Sequence, residues 1–204
     1  MSSILPRPDF DYIYALDPGN PGKVIGTSRD GRSIYGHVLG TGNFAISLIG
    51  GCHADEPVGP LLLRKLAQFL GDLPPEDSLL SHFTWVIIPD ANPDGAAINS
   101  VWWHQSQEQV DLAANLIGAY RELPGDDIEF GFPLDPSIGP LRPENQHIYA
   151  FWKSLGLNFK LHASLHGMHR AYGPWFLLDK DFAVEAKPLI RKIQRLVFAN
   201  GCFA

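Results

Sequence analysis

The chain is poor in cysteine: Cys52 and Cys202 are the only two in 204 residues. That is too few for a disulfide framework. It also lacks a basic excess. Sixteen Lys and Arg stand against 22 Asp and Glu, a formal net charge of −6. This balance argues against nucleic acid or an anionic membrane surface as the main partner. No run approaches the roughly 18 apolar residues of a membrane span. The amino terminus, MSSILPRPDFDYIY, has no basic start followed by an apolar stretch, so no secretory leader is expected and a cytoplasmic protein is. Repeats and low-complexity tracts are absent, as is a glycine-rich loop with a lysine to cradle phosphate.

What is present is an ordinary globular balance, 45% hydrophobic and 19% charged, enough to bury a core without staples. The length predicts a single domain over 1–204. Twenty glycines and 17 prolines fall mainly between periodic segments, which predicts short elements joined by many turns.

Residues 23–40 read as two strands around Arg29-Asp30-Gly31-Arg32, because Asp-Gly is a strong hairpin signal. The apolar runs at 44–51 and 83–90 suit strands covered on both faces. Between them, Pro57 and the spacing of Leu62, Leu63, Leu66 and Leu70 predict a helix stopped at Gly71. Asn92-Pro93-Asp94-Gly95 reads as a turn. Residues 96–141 read as long loops, with Trp102 and Trp103 as loop packing and Asp126-Asp127 as loop surface. A helix is predicted from Pro143 to about Gly156. Residues 158–167 alternate, with Phe159, Leu161, Ala163 and Leu165 on one side and Lys160, His162, Ser164 and His166 on the other, as a strand with one polar face. Residues 175–178 suggest another short strand, and an amphipathic helix closes the chain through Leu189, Ile190, Ile193, Leu196 and Val197. Alternating strands and helices predict an α/β protein, a three-layer α/β/α stack around a mixed, mostly parallel sheet.

Chemistry concentrates at Gly50-Gly51-Cys52-His53-Ala54-Asp55-Glu56-Pro57, where a buried strand ends and a helix begins. Ligands bind at that edge of open α/β sheets. His53 and Glu56 are three apart, so one turn aims both at a single point. A catalytic zinc takes three protein ligands and keeps a fourth position open. The third ligand should come from a neighbouring strand end. His166 fits, with His162 deeper on the same face and His169 in the following loop as competitors. Cys52 lacks an obvious base and suits a buried strand end better than a nucleophile.

These motifs, in order, resemble the zinc carboxypeptidases, the carboxypeptidase A-like metallopeptidases. Ile25-Gly26-Thr27-Ser28 with Gly31-Arg32-Ser33-Ile34 looks like the family's opening hairpin. Gly51-Cys52-His53-Ala54-Asp55-Glu56 looks like its first zinc motif, and Asn92-Pro93-Asp94-Gly95 like its next turn. Val110-Asp111-Leu112 sits where the family approaches its substrate-binding pair. Arg142-Pro143-Glu144 resembles the start of its next helix, and Ser164-Leu165-His166-Gly167 its last ligand motif. The resemblance implies Zn²⁺ held by His53, Glu56 and His166, and hydrolysis of an amide bond by a zinc-activated water.

The resemblance is incomplete. The family's Asn-Arg pair after Asp111-Leu112 is Ala113-Ala114 here. That leaves Asn115 and Arg142 as substrate-binding candidates, with Arg121 and Arg170 as other sources of a guanidinium. The 38 residues after His166 hold one glutamate, Glu185, too early to match the family's general base. No catalytic acid or base is therefore assigned, and a carboxypeptidase-like domain lacking its C-terminal part is the expectation. Three functions follow: a metallocarboxypeptidase-like hydrolase of peptides, a deacylase of N-acyl amino acids of the succinylglutamate desuccinylase type, or an inactive zinc-binding module.

Overall fold

The computed structural model describes residues 22–103, 116–132, 142–167 and 175–199. Asn115, the Asp111–Ala114 stretch, His169 and Arg170 lie outside these residues. The chain divides into two compact units, one spanning Asp9–Gly167 and the other combining Met1–Pro8 with Met168–Ala204.

The larger unit is built on five strands: β1 (Lys23–Thr27), β2 (Ser33–Leu39), β3 (Phe44–Gly50), β4 (Phe83–Ile88) and β5 (Phe159–Leu165). Their order across the sheet is β1-β2-β4-β3-β5. β1 pairs antiparallel with β2, and β2 with β4. β3 runs parallel to both β4 and β5. The sheet is therefore mixed, with its parallel half at the end that carries the predicted ligands. Parallel strands put β3 and β5 C-termini on one edge, so residues just after Gly50 and Leu165 meet although more than a hundred positions separate them.

Helices α1 (Val58–Gly71), α2 (Ser78–Ser81), α3 (Pro93–Trp103) and α4 (Pro143–Ser154) belong to this unit. Two cores show the layering. Ile46, Leu48 and Ile87 pack against Leu63, Ala67 and Leu70 of α1, with Leu161, Ala163 and Leu165 of β5 alongside. Ile34, Ile49 and Ile88 instead pack with Ile148 of α4 and with Ile128. Strand alternation sends Ile46 and Leu48 to one face and Ile49 to the other, and a helix covers each. The stack is α/β/α.

The main departure from the sequence reading lies after β4. Asn92-Pro93-Asp94-Gly95 starts a helix. Asn92 Oδ1 accepts the Gly95 N–H at 3.1 Å and Pro93 opens the first turn, where its missing N–H costs nothing. The sequence concealed α3 because its apolar residues follow no clear helical stripe, and its opening residues are turn formers. Trp102 belongs to this helix, its Nε1 donating to Asn99 Oδ1 at 2.7 Å, and is not loop packing.

In the smaller unit, residues 175–179 form no strand. Asp179 instead caps α5 (Lys180–Glu185), accepting the N–H groups of Asp181 and Phe182. The amphipathic α6 (Lys187–Ala199) follows. Among the described residues, no helix is long and apolar enough to cross a membrane.

Candidate metal centre

Backbone geometry at the end of β3 sets the site. Gly51 turns the chain with φ +70°, a conformation that favours glycine, and a Cβ there would stand 2.7 Å from Asp90 Oδ1. The turn delivers His53 and Glu56 ahead of α1. Gly59, in the first turn of α1, passes so close to β5 that a Cβ would lie 2.5 Å from the Leu165 carbonyl oxygen. That approach brings Glu56 to the end of β5.

Three donors converge. His53 Nδ1 lies 3.0 Å from Glu56 Oε1. His166 Nδ1 lies 2.9 Å from Glu56 Oε2 and 3.0 Å from His53 Nδ1. One ligand atom from each of the three residues falls within 4.8 Å of the others. The three side chains are largely buried, between 11% and 17% exposed. Gly167 contributes its N–H to Glu56 Oε2 at 3.0 Å, a sharper role than the room for close approach that its sequence position suggests.

The opposite edges of both imidazoles face acids. His53 Nε2 is buried 3.2 Å from Asp127 Oδ2, though not aligned as a hydrogen bond. His166 Nε2 lies 2.9 Å from Ser164 Oγ and 3.4 Å from Glu129 Oε2. Ser164 Oγ in turn donates to Glu129 Oε2 at 2.8 Å. Acids behind the rings favour a proton on each Nε2, leaving each Nδ1 as the lone-pair side. Two ring nitrogens and a carboxylate are turned toward one point. That donor set fits a divalent zinc.

The same contacts shift the titration of the cluster. Burial alone would raise the Glu56 carboxyl, but its bonds with His166 and His53 hold it well below the usual carboxylate range. Glu129, also opposed by burial, is brought down to about 2 by His166, Ser164 and Cys52. His166 is raised to about 9, first by Glu129 and then by Glu56. A metal must displace that proton, so metal affinity is tied to pH. Burial pushes the Cys52 thiol well up, with the Glu129 charge adding to it, the environment of an inert cysteine.

The other sequence candidates lie elsewhere. His162 sits deeper, its Nδ1 3.1 Å from Ser47 Oγ and its ring edge-on to Trp152. Arg142, an expected substrate binder, is 4% exposed. Its guanidinium is committed to both Glu144 oxygens, at 3.1 and 3.0 Å, and to the Asp126 carbonyl at 2.9 Å, which makes it part of the framework. Arg121 is the guanidinium that reaches the cluster among the described residues, 3.0 Å from Glu56 Oε1 and 3.5 Å from Asp55 Oδ1.

Sequence reasoning missed Asp127 and Glu129, and it read Asp126-Asp127 as surface. Asp126 does lie at the surface, where Arg29 Nη1 and Nη2 donate to its carboxylate at 3.0 and 2.8 Å, whereas Asp127 is largely buried beside His53. The one available signal was the pattern Asp127-Ile128-Glu129, two acids flanking an apolar residue.

Known proteins similar to this chain are carboxypeptidases or carboxypeptidase-like. A carboxypeptidase from Arabidopsis thaliana, SOL1, is 31% identical over 127 residues, covering 60% of this chain and 23% of its own length. An inactive metallocarboxypeptidase, ecm14, of Talaromyces marneffei is 27% identical, over 43% of this chain and 18% of its own. A metallocarboxypeptidase A-like protein of Trichophyton verrucosum is 26% identical, over 87% and 45%. The chain thus spans less than half the length of these relatives. In fold it is similar to thrombin-activatable fibrinolysis inhibitor, with a TM-score of 0.56 at 18% identity, over 91% of this chain and 55% of that one. Carboxypeptidase A from Helicoverpa armigera gives 0.52 at 17%, over 84% and 48%. Residues 21–176 match the family described as zinc carboxypeptidase, and the chain belongs to that family.

Proposed function

We propose that this chain carries the metal centre of a zinc-dependent hydrolase that cleaves amide bonds, with His53, Glu56 and His166 as the ligands. The observation that supports this most is the convergence of the three donors at one strand-end edge, in a chain whose family is defined by zinc carboxypeptidases. Zinc bound there supplies Lewis-acid polarisation of a carbonyl and a water of lowered pKa. The protein's part is to hold the donors: Gly51 and Gly59 set their backbone, and Gly167 fixes the Glu56 carboxylate. Arg121 stands ready to meet an anionic group at the mouth of the site, being 44% exposed beside Glu56. The substrate class is a peptide or an N-acyl amino acid.

A second reading, a zinc-binding module without turnover, is favoured by Ala113-Ala114. Alanine offers no donor, and loss of a single oxyanion donor typically costs around 10²–10³ in rate. It is also in keeping with the relative named as inactive.

One experiment tests both. Zinc content is measured in the wild type and in His53→Ala, alongside hydrolysis of peptides and N-acyl amino acids with and without chelator. The proposal expects about one zinc per chain, lost in the variant, with chelator-sensitive hydrolysis. Zinc without hydrolysis supports the inactive module. No zinc in the wild type, or unchanged zinc in His53→Ala, overturns the metal centre.

A further inference from the structure

We propose that the tripeptide Asp127-Ile128-Glu129 is a two-pronged positioning strap, one prong for each imidazole of the metal centre. This rests on the metal reading above and adds residues that set how tightly the metal is held.

The geometry begins with Ile128. It is fully buried, at 0% exposure, in the core formed with Ile34, Ile49, Ile88 and Ile148. Seating it there turns its two neighbours to the histidines: Asp127 Oδ2 to within 3.2 Å of His53 Nε2, and Glu129 Oε2 to within 3.4 Å of His166 Nε2. Ser164 Oγ bridges the second prong, donating to Glu129 and touching His166 Nε2. A single short segment thereby reaches two proposed ligands that lie 113 positions apart in the sequence.

The strap is itself fixed on several sides. Asp127 Oδ1 accepts the Glu129 N–H at 2.8 Å, and Asn145 Nδ2 donates to the Ile128 carbonyl at 2.8 Å. Just before it, Arg29 clamps the Asp126 carboxylate and Arg142 holds the Asp126 carbonyl. These anchors come from the β1–β2 turn and from α4, both outside the metal cluster. Their chemistry explains why Arg142 is buried and committed: it braces the segment that orients the ligands. Groups behind metal-bound histidines fix ring orientation and tautomer, and their loss typically weakens metal binding about 10–100-fold.

The test uses the full chain with zinc alone as ligand, and competition against a chromogenic chelator as the readout. Asp127→Ala and Glu129→Ala are each expected to weaken zinc about 10–100-fold, with Glu129→Gln intermediate because it keeps the shape and loses the charge. Glu76→Ala, an exposed turn position, is expected to bind as the wild type does. The visible spectrum of the cobalt-substituted protein is expected to shift in the strap variants, since ring orientation changes the ligand field. Melting of the metal-free forms separates positioning from folding. A lower melting temperature with zinc affinity within about twofold of wild type overturns the strap. If Glu129→Ala does not fold, Glu129→Gln decides by the same twofold limit. Failure of the wild type to bind zinc sinks the metal reading and the strap with it. Normal wild-type binding with unaffected variants sinks the strap alone.

Discussion

At the scale of single residues, Arg121 carries the clearest functional expectation. Its guanidinium touches Glu56 yet remains 44% exposed, so it can exchange that contact for a substrate anion. A hydrogen bond to a charged group contributes about 1.5–3 kcal/mol. Arg121→Ala is therefore expected to raise KM for substrates bearing a free carboxylate by about tenfold or more, with KM for amidated analogues little changed. Stability should move by no more than about 0.5 kcal/mol. Steady-state kinetics on the matched pair, with a melting curve, checks this. Equal loss on both substrates would show that Arg121 acts through Glu56 instead.

Between elements, the decisive contact is the crossing of α1 and β5. The Gly59 position touches the Leu165 carbonyl, whereas Gly71 at the far end of the same helix has nothing within 4 Å of a Cβ. Gly59→Ala must push the helix off the strand, an overpacking change that costs about 1–3 kcal/mol. Because Glu56 sits just ahead of α1 and His166 just after β5, the same shift separates two of the proposed ligands, and weaker zinc binding is expected. Gly71→Ala removes a helix-weakening glycine, so it should be neutral or stabilising by up to about 1 kcal/mol. Leu63→Ala, in the fully buried core of α1, is expected to cost about 2–5 kcal/mol without selectively affecting the metal. Urea unfolding of the three variants, with zinc titration, separates these outcomes.

For the molecule as a whole, acid stability should depend in part on the buried ion pair that ties the hairpin turn to α4, beside the depressed carboxyls of Glu56 and Glu129. Glu144 has a 0% exposed side chain and accepts from the Arg142 guanidinium and the Arg29 N–H. Burial pulls its carboxyl upward, but the Arg142 bonds and the Arg29 N–H bring it below the ordinary 4.5. A depressed folded-state value means stability that is fully present above the unfolded value, about 4.3, and lost as pH falls through the folded one. Melting temperature should therefore drop below about pH 4.3, and Glu144→Gln should flatten that slope while lowering stability at neutral pH. A slope unchanged by the substitution would assign acid lability to other carboxylates.

The sequence by itself determined the five strands and helices α1, α4 and α6, and it singled out His53, Glu56 and His166, the trio that the fold brings together. Each is written in local pattern. Apolar runs mark buried strands, leucine spacing marks α1, alternation marks β5, and a histidine and glutamate three apart mark a strand-end site. Helix α3 was illegible because its apolar residues form no stripe and its cap looks like a turn. The tertiary structure alone decided what stands behind the imidazoles and what Arg142 does. Asp127 and Glu129 lie in an irregular loop, and they meet His53 and His166 only once Ile128 is buried and Arg29, Arg142 and Asn145 have closed around the segment. Such contacts join residues far apart in the chain, and they follow from packing and charge pairing that no local periodicity encodes.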